Sequence, residues 1–164
     1  MELLEKTAAY ILENGVADLS LRPLAKAIGT SARMIVYHFG SREHLIESAL
    51  QAILGRIQKD FVDSQRNVLD FWKWALRPKN QSYVRLIFEV HGLAPRNPRI
   101  YGGYARAAIG SWKSILLARG YDDVQATAII ALFDGLLMDF LATGDRKRTT
   151  RALQLALRKL GGVK

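Results

Sequence analysis

The chain has 164 residues, 49% apolar and 24% charged, which fits one globular domain or a small module joined to a larger one and excludes wholesale disorder, collagen and coiled coil. It has no cysteine, so disulfide frameworks, thiol chemistry and cysteine-based zinc or iron–sulfur sites are excluded. The formal charge of +9 points to an anionic partner, yet residues 1–50 sum to −1 while residues 79–119 carry +6.

The longest strictly apolar run, Ala128 to Phe133, has six residues, short of the roughly 20 that a membrane helix needs. Glu2 and Glu5 give the N-terminus the wrong charge for a signal peptide. The expectation is a soluble cytoplasmic protein with no membrane partner.

In chain order, Leu3, Leu4, Thr7, Ala8, Ile11 and Leu12 recur at helical spacing and Gly15 follows Asn14 as a cap, which predicts a helix over 2–14. Ser20 serves as the N-cap of a second, short helix; Pro23 is tolerated in its first turn, Leu24, Ala25 and Ile28 line one face, and Gly29 stops it. A third helix opens near Ser31 and runs to His38, after which Gly40-Ser41 breaks and recaps the chain. Leu45, Ile46, Ala49, Leu50, Ile53, Leu54, Ile57 and Phe61 then mark a long amphipathic helix over 42–64. Further helices are predicted over 67–76, 81–93, 101–119, 122–142 and 146–160. Asp122 with Gln125 forms a capping box, and Gly144-Asp145 turns the chain between the last two. Strand alternation is absent. The fold expected is all-α with about nine helices: an N-terminal trihelical unit in residues 1–46 and a larger helical domain in 47–164.

Two short helices joined by Gly29-Thr30-Ser31 and packed on a preceding helix have the spacing of a helix-turn-helix. Ile35 and Phe39, four apart, can face the scaffold and leave Arg33 and Tyr37 outward. That outer face suits duplex DNA. Arginine pairs bidentately with guanine, a tyrosine hydroxyl reaches phosphate or base, and Ala32 and Val36 can pack against thymine methyls. Thr30, Ser31, His38 and Arg42 are placed for backbone contacts, and the helix start capped by Ser41 offers free N–H groups to a phosphate. Spacing alone is equally compatible with a plain trihelical packing unit in which Tyr37 and His38 are partly buried and Arg33 is merely exposed.

The run Leu19-Ser20-Leu21-Arg22-Pro23-Leu24-Ala25, then Gly29-Thr30-Ser31, then Tyr37-His38-Phe39-Gly40-Ser41-Arg42-Glu43-His44-Leu45 resembles the TetR family of transcriptional regulators over about residues 2–54. The resemblance implies a DNA-binding domain whose third helix enters the major groove, with Arg22, Arg33 and Arg42 facing phosphate or base. Leu132-Phe133-Asp134-Gly135-Leu136-Leu137, followed by Thr143-Gly144-Asp145, resembles the family's two C-terminal dimerisation helices. Val36 stands where the family generally has a tyrosine, so that residue's phosphate contact does not transfer to it, and neighbouring Tyr37 is the expected substitute. Arg33 replaces a usually small residue, which implies base reading particular to a subgroup. The family's basic arm before the first helix does not appear in this sequence, and reduced DNA affinity is the expectation.

Residues 122–142 are apolar nearly all round, so two sides of this helix need cover. A core supplies one, and a second subunit is the natural other. Ile129, Leu132, Gly135, Leu136, Leu153 and Leu157 are the expected homodimer contacts, with Gly135 allowing close approach; a single large monomeric core is the alternative. Between them, Phe61, Trp72, Phe88, His91, Tyr104, Trp112 and Met138 combine apolar surface with a few polar tips, as a pocket for a small-molecule effector does and as an ordinary core also does. Arg146, Lys147, Arg148 and Arg151 read as a solvated helix start pairing with Asp139 or Asp145.

No metal, cofactor or catalytic role is expected. Asp134 and Asp139 do not converge on one helix face, and the histidines at 38, 44 and 91 lack ligand spacing. The function expected is a ligand-responsive transcriptional regulator, a repressor binding a pseudo-palindromic DNA operator as a homodimer. The alternative is a helical interaction or small-molecule-binding protein without sequence-specific DNA binding.

Overall fold

The apolar spacing at the N-terminus becomes α1 (Glu2–Asn14), whose Thr7, Ala8 and Ile11 are completely buried. Gly15 at φ +78° ends it, in the left-handed region that glycine reaches without penalty. A computed structural model describes residues 2–64 and 66–161 of the chain. Among these, 82% are helical, in nine α-helices without a strand, so the expected all-α class is the observed one.

After α1 come α2 (Leu21–Ala27), α3 (Ala32–Phe39) and the long α4 (Arg42–Asp63). Next are α5 (Val68–Ala75), a tight 3-10 turn at Pro78–Asn80 and α6 (Gln81–Leu93). A wide π-helical turn at Pro98–Gly102 leads into α7 (Gly103–Ala118), then α8 (Asp123–Thr143) and α9 (Arg146–Lys159). The π turn departs from the expectation of a regular helix from residue 101. Within it the ring of Tyr101 is drawn inward to 2% exposure.

The chain divides into two compact units, Met1–Asp60 with Arg85–Ala107, and Phe61–Val84 with Ala108–Lys164. In the first, Ile11, Leu24, Ile35, Leu45, Ile46 and Leu50 are all at 0% exposure. Each lies on the inward stripe of its own helix. Burial of residues from four successive helices is what holds short α2 and α3 in place, since seven- and eight-residue helices are marginal alone.

The second unit is built around aromatic rings. Phe71 lies 5.1 Å from both Phe61 and Trp74, and 4.8 Å from Trp112, ring centre to ring centre. Trp72 is completely buried and donates its indole N–H to Thr150 Oγ1 on α9 at 2.8 Å. Arg119 sits 4.0 Å over the Phe61 ring and donates to the Phe61 and Arg66 carbonyls, which closes the C-terminal end of α4. The Asp122–Gln125 capping box opens α8 as expected. Gly144 turns the chain into α9, where Arg148 pairs with Asp139 at 2.6 Å and Asp145 at 3.4 Å. The Arg148 hydrogen bond holds the Asp139 carboxyl below its ordinary range.

Burial pushes the Tyr104 phenol in the first unit up to about 12. The unfolded chain ionises this group near its usual pKa of about 10, so stability carried by the neutral phenol is complete below that pH and drains away between about 10 and 12. Thermal melts across that window should show Tyr104→Phe losing less stability with rising pH than the unaltered chain; parallel curves would mean Tyr104 is not the group responsible.

Candidate nucleic-acid interface

Helix α3 divides cleanly into two faces. Ile35 is completely buried and Phe39 half-buried, while Arg33, Met34, Val36, Tyr37 and His38 are exposed, Tyr37 at 79%. The division follows from the four-residue spacing of the two apolar residues. Ser31 fixes the helix start by accepting from the Met34 N–H at 3.2 Å, and Gly29 at φ +73° lets the Thr30 N–H bond back to the Ala25 carbonyl at 2.9 Å. The turn that sets α3 against α2 is therefore fixed from both sides. Ser20 holds the N-cap position of α2, but its hydroxyl makes no capping bond.

Of the expected contact residues, Arg22 and Ser31 are exposed beside α3, and Thr30 and Ala32 are half-buried at its start. The Tyr37 and His38 rings meet edge to face with centres 5.4 Å apart, which limits the sweep of both. His38 and Thr30 also border an open groove of about 600 Å³ that runs past Leu3, Lys6, Ile28 and Phe39. Arg42 is different. Its Nε donates to the Leu19 carbonyl at 2.6 Å and one terminal nitrogen lies 3.6 Å from Glu43, so only part of the guanidinium fork is left for another partner. Ser41 accepts from the His44 N–H at 3.1 Å, which occupies one donor of the first turn of α4. Met34, 43% exposed, adds to this outward face a residue that is not among the expected contacts.

The residues expected to line an effector pocket are distributed over both units. Phe61, Trp72 and Trp112 belong to the aromatic cluster of the second unit, with Phe61 and Trp112 in ring contact at 5.4 Å. Phe88, His91 and Tyr104 belong to the first unit, and Met138 is 49% exposed on α8. Among the expected dimer contacts, Ile129, Leu153 and Leu157 are already buried within their own unit. Leu132 and Leu136 are half-buried and Gly135 is exposed. By length and a mean hydropathy of 1.7, α8 could cross a membrane; its buried residues Ala126, Ile129, Phe133 and Leu137 form one stripe, leaving a second apolar face with Val124 and Met138 outward.

The sequence model of the bacterial regulatory proteins of the tetR family matches residues 3–49, the span from α1 through the first third of α4. Residues 3–49 thus carry the sequence pattern of the TetR family's N-terminal domain. The HTH-type transcriptional repressor KstR2 of Mycobacterium tuberculosis is 32% identical over 72 residues, 42% of this chain and 36% of that protein. The match thus spans little more than a third of the curated relative. The same fold extends over nearly the whole chain in a TetR transcription regulator from Haloarcula marismortui, with TM-score 0.77, 18% identity and coverage of 99% of this chain and 96% of that one. It recurs in the multidrug binding protein EbrR complexed with proflavin, with TM-score 0.73, 20% identity and 97% of each chain covered. TetR-family proteins are transcriptional regulators rather than enzymes.

Proposed function

We propose that the chain is a cytoplasmic transcriptional regulator, a repressor, which binds a pseudo-palindromic DNA operator as a homodimer and is released by a small molecule. The observation that carries this reading is the split of α3: Ile35 is locked into the core while Arg33, Met34, Val36 and Tyr37 stand outward within the segment that matches the family. An exposed arginine beside small and aromatic side chains on one helical face is chemistry for reading base edges in a major groove. The unpaired apolar face of α8 supports the homodimer, because a two-fold interface covers like surface with like. The aromatic cluster around Phe71 supports an apolar effector, and EbrR, with the same fold, is named for binding multiple drugs.

Random-site selection tests the reading directly. The expected product is a two-fold motif whose half-sites lie about 34–36 Å apart; recovery of unrelated sequences would reject it. On the selected duplex, Arg33→Ala should relax preference at one base position at a cost of about 1–3 kcal/mol. Arg42→Ala should instead weaken all sequences alike and reduce the salt slope by about one. Identical effects of the two changes on specific and nonspecific DNA would remove the distinction between base and phosphate contacts.

A further inference from the structure

The loop between α1 and α2 turns on Gly15, and successive N–H groups following a left-handed residue form a cradle for an anion. The chain fills that cradle itself. The Val16 and Ala17 N–H groups donate to Glu89 Oε1 over 2.8 and 2.7 Å, from a residue 73 positions away on α6. A Cβ on residue 15 would stand 2.9 Å from Glu89 Oε2. The dihedral favours glycine there, and any Cβ would push the carboxylate off its seat. Val16 has no exposed surface, so its N–H has no route to water and depends on this acceptor. The Tyr101 hydroxyl, carried by the π turn, donates to the Val16 carbonyl at 3.4 Å.

At its other end, the same loop presents the Leu19 carbonyl to Arg42 Nε. We propose that Glu89 is a positioning residue for DNA binding: seated on the amides of Val16 and Ala17, it fixes the α1–α2 loop, which in turn aims Arg42 and the start of α2 at the phosphate backbone. The proposal rests on the DNA-binding reading above. It adds a route by which α6 reaches the DNA-facing surface through a loop of the first unit, and it explains why a carboxylate is used, since charged acceptors make hydrogen bonds about twice as strong as neutral ones.

The test uses the full-length chain and the tightest duplex recovered from random-site selection. Glu89→Ala should speed deuterium exchange in the peptide covering residues 15–20 and weaken that duplex about tenfold, the effect of one or two lost bonds to a charged group. Glu89→Gln, which keeps an oxygen acceptor but not the charge, should recover part of the binding. The decisive reading is the double-mutant cycle with Arg42→Ala: if Glu89 acts through Arg42, the double variant is little weaker than Arg42→Ala alone, and the salt slope falls by about one in each single variant. Additive losses, an unchanged salt slope in Glu89→Ala, or unaltered exchange at residues 15–20 would each overturn the proposal. If Glu89→Ala does not fold, Glu89→Asp carries the same cycle with the charge kept and the reach shortened. A selected motif that Glu89→Ala binds normally sinks this proposal alone, whereas failure of the unaltered chain to select any motif sinks the DNA-binding reading with it.

Discussion

Trp72→Ala should lower the stability of the second unit by about 3–5 kcal/mol, the usual range for emptying a buried aromatic site. Trp72 is the largest of the fully buried side chains, its ring meets Phe133 edge-on at 5.5 Å, and its indole N–H donates to Thr150 Oγ1. Truncation removes the ring from between α5 and α9 and leaves Thr150 without that donor. A protein with a total stability of about 5–15 kcal/mol loses a large share of it in this way. Trp72→Phe separates the contributions. It keeps a ring against Phe133 and gives up the hydrogen bond and part of the volume, so its loss should be well below that of the alanine variant. Urea titration followed by the remaining Trp74 and Trp112 reads both changes, and a Trp72→Ala loss under about 1 kcal/mol would show that the site collapses around the gap rather than holding a cavity.

Local chemistry was the part of the structure legible in the sequence. The bounds of α1 and α6 follow directly from apolar spacing and caps, and the Asp122–Gln125 box and the Arg148 pairs with Asp139 and Asp145 lie within one or a few helical turns. The outward side of α3 was legible because only one apolar stripe on a short helix can be buried. Non-local choices were not. Nothing near Glu89 in sequence announces that its carboxylate seats on amides 73 and 72 positions away. Nor does Tyr101, at the start of the helix expected over 101–119, announce a π turn. On α8 and α9 the sequence marks apolar residues without separating those facing the subunit's own core from those left outside. Ile129, Leu153 and Leu157 are buried in that core while Leu155 is 54% exposed, yet hydrophobicity gives all four the same signature.

That separation makes Gly135 the sharpest probe of assembly. A Cβ built at Gly135 meets nothing within 4 Å, so the subunit itself has room for a larger side chain there. Replacing a mid-helix glycine also relieves a helix of the residue that favours it least among non-prolines, by up to about 1 kcal/mol relative to alanine. Gly135→Leu should accordingly leave the helicity of the isolated subunit intact and its melting temperature equal or higher. Its effect should fall on the contact between two copies of α8, where a branched side chain prevents the close approach that glycine permits. Sedimentation should then find the unaltered chain as a dimer and Gly135→Leu as a monomer. Affinity for a two-fold DNA site should drop by about 10²–10⁴, the advantage lost when two linked half-site contacts become independent, while affinity for a single half-site stays unchanged. A Gly135→Leu chain that remains dimeric and holds the two-fold site normally would move the interface away from this face of α8.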